Sequence, residues 1–129
     1  MKKQPEYNLQ VMVCNYLKYQ HQNVLFLSDT VANLRMTFPQ LARNKKIQKK
    51  DFHCPDVLIL EPNKKYHGLF IELKIETPFK KTGELKKSNH LQGQQKTINE
   101  LNSKGYFACF SWSFEQTKDI IDNYLNDTL

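Results

Sequence analysis

The chain has 129 residues, 40% of them hydrophobic and 25% charged. That is the balance of an ordinary folded protein, and it excludes a largely disordered one. Its formal charge of +6 suits a polyanionic partner, nucleic acid first and an anionic membrane surface second.

The length predicts one domain over residues 1–129. Cys14, Cys54 and Cys109 are too widely spaced for a disulfide framework or a CxxC zinc pair. Cys14 and Cys109 read as small core residues. The opening MKKQPEYNLQ is neither a signal peptide nor a membrane span. An intracellular protein is expected, cytoplasmic or nucleoid-associated and not secreted, with no membrane role and no organic cofactor.

A first helix is predicted over 5–20, opened by Pro5, with Leu9, Val13 and Tyr16 at helical spacing. A short strand follows at 24–28. Residues 29–38 show no period and read mostly as loop. Pro39 opens a second helix, PQLARNKKIQ. Strands are predicted at 57–60 and 69–75 around the turn EPNKKYHG. Residues 76–88, rich in Lys with Pro and Gly, read as a mobile basic loop. A helix over 89–104, closed by Gly105, leads to a strand at 106–112 and a final helix at 115–125. This order predicts an α/β fold with a small mixed central sheet of about four strands flanked by helices.

Charged residues interrupt the strands. Side chains alternate along a strand, so Leu69, Ile71, Leu73 and Ile75 share one face, and Phe70, Glu72 and Lys74 share the other. In the antiparallel register where paired numbers sum to 128, Asp56 lies directly opposite Glu72. A slip of one residue turns Asp56 to the other face. Like charges directly opposite destabilise a sheet. A divalent cation between them reverses the sign, and Mg²⁺ takes one or two carboxylates while keeping sites for water and phosphate. Taken alone, Glu72 and Lys74 better describe an exposed ion pair of little value. Pro55 holding the chain extended before Asp56, the VLIL run of a central strand and the basic charge favour the site.

Pro55-Asp56, fifteen residues, then Glu72-Leu73-Lys74 resembles the PD-(D/E)xK pattern of the restriction-endonuclease-like nucleases. The chain is more narrowly similar to the VRR-NUC family over nearly its whole length. Glu6 matches that family's acid on the first helix, 55-PDVLIL-60 its PD strand and 71-IELK-74 its IExK strand. Gln94 or Gln95, eleven and ten residues before Gly105, matches its helical glutamine, with Gln94 favoured. His53 departs from the pattern. The family has Gly there, so the backbone approach differs or His53 contacts substrate.

The resemblance implies a restriction-endonuclease-like core and metal-assisted phosphodiester hydrolysis. Asp56, Glu72 and the Leu73 carbonyl are then the ligands of Mg²⁺, with Mn²⁺ able to substitute. Lys74 orients or deprotonates the attacking water or neutralises developing charge, with positioning preferred because a free Lys is a poor base at neutral pH. Glu6 and Gln94 complete the implied catalytic set. Asn33 and Arg35 are candidates to reach the metal site or a phosphate.

Lys45, Lys46, Lys49, Lys50, Lys80, Lys81, Lys86 and Lys87 form two clusters suited to a phosphate backbone, or simply to solubility. His21, His67 and His90 carry no assignment. The resemblance points to branched or Holliday-junction DNA in replication, recombination or repair, and to a homodimer that cuts two strands. A catalytically silent DNA-binding module and an RNA-processing nuclease stand as alternatives.

Overall fold

A computed structural model describes residues 5–28 and 36–129. Four helices and four strands follow one another as α1 (Pro5–Gln20), β1 (Phe26–Ser28), α2 (Phe38–Ile47), β2 (Val57–Ile59), β3 (Leu69–Leu73), α3 (Asn89–Ser103), β4 (Phe107–Ser111) and α4 (Phe114–Leu125). The strands form a single sheet in the order β1-β2-β3-β4. The first two pairings are antiparallel, and β4 runs parallel to β3 after the α3 crossover. The mixed α/β architecture is the one expected.

The helices are fixed by local chemistry. Ser88 caps α3 by accepting from the Leu91 amide at 3.3 Å, and Ser113 caps α4 by accepting from the Gln116 amide at 3.1 Å. Thr37 and Gln40 form a reciprocal capping box on α2. That box starts α2 at Phe38, one residue before Pro39, inside a stretch read from sequence as loop. Gly105 ends the α3 turn at φ +94, where a side chain would also strike His67.

Alternation divides the core. Val57 and Ile59 of β2, with Leu69, Ile71 and Leu73 of β3, pack on one face against Leu9, Val13 and Leu17 of α1 and Ile121 and Tyr124 of α4. On the other face Phe70, Ala108 and Phe110 pack against Ile98 of α3. Helix α3 therefore covers the face that also carries position 72. Cys14 and Cys109 are half-buried, Cys109 packs against the first of these clusters, and burial pushes its thiol up to about 12.

Several boundaries are shorter than the sequence pattern predicts. β2 ends at Ile59, leaving Leu60 exposed. β3 ends at Leu73, so Ile75 leaves the aliphatic row and lies exposed. One further ladder bond, from the Lys74 amide to the Ser111 carbonyl at 2.8 Å, still anchors Lys74 to β4. The basic segment 76–88 folds back on itself through a bridge between Phe79 and Leu85. Phe79 packs edge-on against Phe110 and Trp112, so this segment is held by the core rather than being a free loop. No described residue of α2 is buried, and Phe38, Leu41 and Ile47 are exposed along it.

Leu17 is fully buried where α1 meets the sheet. Leu17→Ala is expected to destabilise the fold by about 3 kcal/mol through lost burial and an unfilled cavity. Chemical denaturation, read by circular dichroism, measures it.

Candidate active site

The register of β2 and β3 pairs Val57 with Ile71 and Ile59 with Leu69, the one in which paired numbers sum to 128. It carries Asp56, one residue before β2, to the position opposite Glu72. The Asp56 side chain turns back to the sheet end, where its Oδ2 accepts from the Leu73 amide at 2.8 Å. Its main chain is also pinned. Gln10 Nε2 donates to Ser28 Oγ at 2.6 Å, and Ser28 Oγ donates to the Asp56 carbonyl at 2.7 Å. Buried Pro55 keeps the preceding chain extended.

Glu72 is 7% exposed and Gln94 is 6% exposed. Gln94 Nε2 donates to Glu72 Oε1 at 2.8 Å and stands 3.1 Å from His90 Nε2, which accepts if the ring proton sits on Nδ1. Gln94 Oε1 is buried and has no hydrogen-bond partner among the described residues. Leu91, Ile98 and Leu101 recur at helical spacing along α3, and Gln94 falls outside that stripe. The helix in fact presents both Ile98 and Gln94 to the sheet, and burial of an amide there follows from its bond to Glu72. Gln95 instead donates to Asn99 on the exposed side of the helix.

A cleft of about 190 Å³ is lined by Glu6, Gln10, His53, Cys54, Asp56, Glu72, Lys74, His90 and Gln94. It gathers Glu6, Asp56, Glu72, Lys74 and Gln94 from four separate stretches of chain. Glu6 lies exposed at the rim, close enough for its charge to act on Glu72. An adjoining groove shares Glu6 and Lys74 and adds Lys86. Lys80, Lys81 and Lys87 are exposed on the same folded-back segment. Lys45, Lys46, Lys49 and Lys50 lie exposed on the end of α2 and beyond it, away from the cleft wall. Asn33 and Arg35 lie outside the described residues.

Electrostatics single out the carboxyl pair. Burial, then the neighbouring Asp56, pushes Glu72 up to about 9. Burial also raises Asp56, against the opposing pull of the Leu73 amide, the Glu72 hydrogen bond and Lys74. Burial and the neighbouring Asp56 therefore favour a proton on Glu72 at neutral pH. Such a pair is the arrangement a cation in place of that proton would stabilise. Among the described residues no three His, Cys, Asp or Glu side chains converge as a metal-binding group. The donor set is two carboxylates plus main chain, which fits Mg²⁺ with its retained waters. The unpartnered Gln94 Oε1 adds an acceptor beside Glu72 that such a water could satisfy.

Sequence reasoning missed Gln10, Ser28 and His90. Gln10 follows Glu6 by one helical turn, which was the available signal for it. His53 and Gly93 are each legible in the sequence, but the packing of one against the other is not. A Cβ at position 93 would lie 2.5 Å from His53 Nε2, so the imidazole occupies the space a side chain there would need. Glycine inside a helix costs about 1 kcal/mol relative to alanine.

Solved structures share this fold. One, described as a VRR_NUC domain protein, aligns with a TM-score of 0.63 at 20% identity, covering 98% of this chain and 92% of its own. The second, described as a VRR_NUC domain, aligns with a TM-score of 0.55 at 16% identity, covering 95% and 99%. The chain has the VRR_NUC fold. No family profile and no curated protein matches the sequence itself. The VRR_NUC fold is thus visible in the backbone at an identity where sequence comparison finds nothing. No described helix is long and apolar enough to cross a membrane.

The upward shift of Glu72 implies a pH dependence. Between the ordinary carboxylate value and about 9, the folded protein keeps a proton that the unfolded chain has lost. Stability therefore falls as pH rises through this window, by at most about 1.4 kcal/mol per pH unit. In EDTA, Glu72→Gln is expected to melt at a temperature that declines less than wild type between pH 5 and pH 9. Parallel melting curves for the two proteins would refute the shift.

Proposed function

We propose that this protein is a metal-dependent nuclease that hydrolyses phosphodiester bonds in DNA. One observation carries the reading: half-buried Asp56 and buried Glu72 meet in a cleft that also holds Lys74 and Gln94. A protein that only bound DNA would gain nothing from burying like charges together. The shared VRR_NUC fold and the match to the PD-(D/E)xK pattern support the same conclusion.

In this reading Asp56, Glu72 and the Leu73 carbonyl would hold Mg²⁺, with Mn²⁺ as a substitute. The chemistry supplied by the bound ion is polarisation of the phosphate, a lowered pKa for a coordinated water and stabilisation of the leaving oxygen. The Leu73 amide, Ser28 and Gln10 keep Asp56 aimed at the site. Gln94 fixes the rotamer of Glu72. Lys74, whose main chain is anchored to β4, orients the attacking water and offsets charge that develops on the phosphate. Glu6, at the rim, adds negative charge beside the carboxyl pair that would hold the ion.

Lys86 and the exposed Lys80, Lys81 and Lys87 would carry one flank of the nucleic acid, and the cluster ending α2 the other. The preferred substrate in this proposal is branched DNA, including four-way junctions, cut by a homodimer of one-domain chains during replication, recombination or repair inside the cell. The exposed apolar residues of α2 are available to such a dimer.

Plasmid, flap and four-way junction substrates incubated with Mg²⁺, Mn²⁺ or EDTA test the reading. Cleavage is expected with either metal and none in EDTA. Asp56→Asn and Lys74→Ala are expected to lower the rate by about a hundredfold or more while leaving the fold intact. Cutting that persists in EDTA and in both variants would overturn it. A second expectation concerns the ion alone. Because bound metal must displace the Glu72 proton, Mg²⁺ should raise the melting temperature more at pH 8 than at pH 6, and should lose that effect in Glu72→Gln.

A further inference from the structure

His53 stands three residues before Asp56, on the cleft wall, with part of its ring exposed. Its main chain needs no help from the ring, because the His53 amide donates to the hydroxyl of buried Thr97 at 3.0 Å. The ring lies over α3 in the space that a side chain at position 93 would fill, with Nε2, Cε1 and Cδ2 all within 3.1 Å of where that Cβ would be. It meets His90 edge-on, with ring centroids 6.1 Å apart. Helix α3 therefore carries a glycine in its interior where an alanine would make a better helix, and the beneficiary is an imidazole at the lip of the site.

The cleft's charges show what that imidazole can serve. Glu6, Asp56 and Glu72 are acids, and Lys74 is the one permanent cation among the described lining residues. A phosphodiester entering here needs hydrogen-bond donors beyond Lys74. A neutral imidazole always carries one N–H, and a protonated one carries two, so His53 is a donor in either state.

We propose that His53 is a substrate-contacting residue, its imidazole seated in the gap left by Gly93 and donating a hydrogen bond to a phosphate oxygen of nucleic acid bound across the cleft. This rests on the nuclease reading for the identity of the ligand, but not on turnover. Gly93 is then a positioning residue, whose missing side chain sets where the ring sits.

The test measures binding of a fluorescent four-way junction by anisotropy, in EDTA and in Ca²⁺, with melting curves confirming that each variant folds. His53→Gly and His53→Phe are each expected to weaken binding about tenfold, the loss of one hydrogen bond to a charged group. His53→Phe matters because it fills space without an N–H. Gly93→Ala should weaken binding comparably by displacing the ring, and should add no further loss on the His53→Gly background. Free imidazole should restore binding to His53→Gly and fail to restore it to the double variant, where the methyl group fills the gap. Wild-type binding by His53→Phe would reduce the ring to a filler and overturn the proposal, as would wild-type binding by His53→Gly. If wild type binds the junction but cuts nothing in any metal, the nuclease reading falls and the His53 contact is judged on these affinities alone. If wild type binds no DNA at all, the contact falls as well.

Discussion

Two carboxyl groups, Asp56 and Glu72, are forced together at the end of a buried sheet, and much of the surrounding structure answers that constraint. Left ionised and unpaired, the two would oppose folding through both desolvation and repulsion. The fold meets the difficulty with the Leu73 amide on Asp56 and the Gln94 amide on Glu72, and burial pushes the Glu72 carboxyl up to about 9. A nearby lysine lowers the cost further without closing a direct ion pair. The two amide bonds are also what a cation site needs, because they restrict the orientation of the carboxylates.

The positions of these groups follow from the sheet. The antiparallel register places residue 56 across from residue 72, and alternation sends both to the face that α3 covers. The parallel strand β4 holds the Lys74 backbone beyond the formal end of β3. From the other side, α1 contributes Gln10, whose bond to Ser28 continues to the Asp56 carbonyl. The acid at the start of the PD strand is thus steadied by the edge strand and the first helix together.

Much of this was legible in the sequence because it depends on periodicity. Alternation in 69-LFIEL-73 put Glu72 opposite the aliphatic row, and the apolar run 57-VLI-59 marked a central strand. The order of helices and strands gave the mixed sheet. What periodicity could not show was burial decided by partners. Gln94 reads as a solvated polar residue on a helix, and only its bond to a buried carboxyl explains why it faces inward. Gly93 reads as a weak point near the start of α3, and only the ring of His53, forty residues earlier, explains it. The ends of strands were overrun for a similar reason. Ile75 continues the apolar pattern, yet β3 stops at Leu73. Helix α2 was found through Pro39, but its Thr37–Gln40 box is the stronger start signal.

The cleft takes its walls from α1, from the approach to β2, from β3 and from α3. Its residues span the chain from Glu6 to Gln94, and the β2–β3 hairpin with Asp56, Glu72 and Lys74 supplies only part of them. Recognition in this molecule is therefore a property of the whole native state. A ligand that enters the cleft favours every element contributing to it at once, so its free energy of binding is felt as cooperativity between helices that share few other contacts. By the same thermodynamics, a substitution that loosens α1 against the sheet weakens the grip of α3 on a ligand it never touches, since both draw on one folding equilibrium.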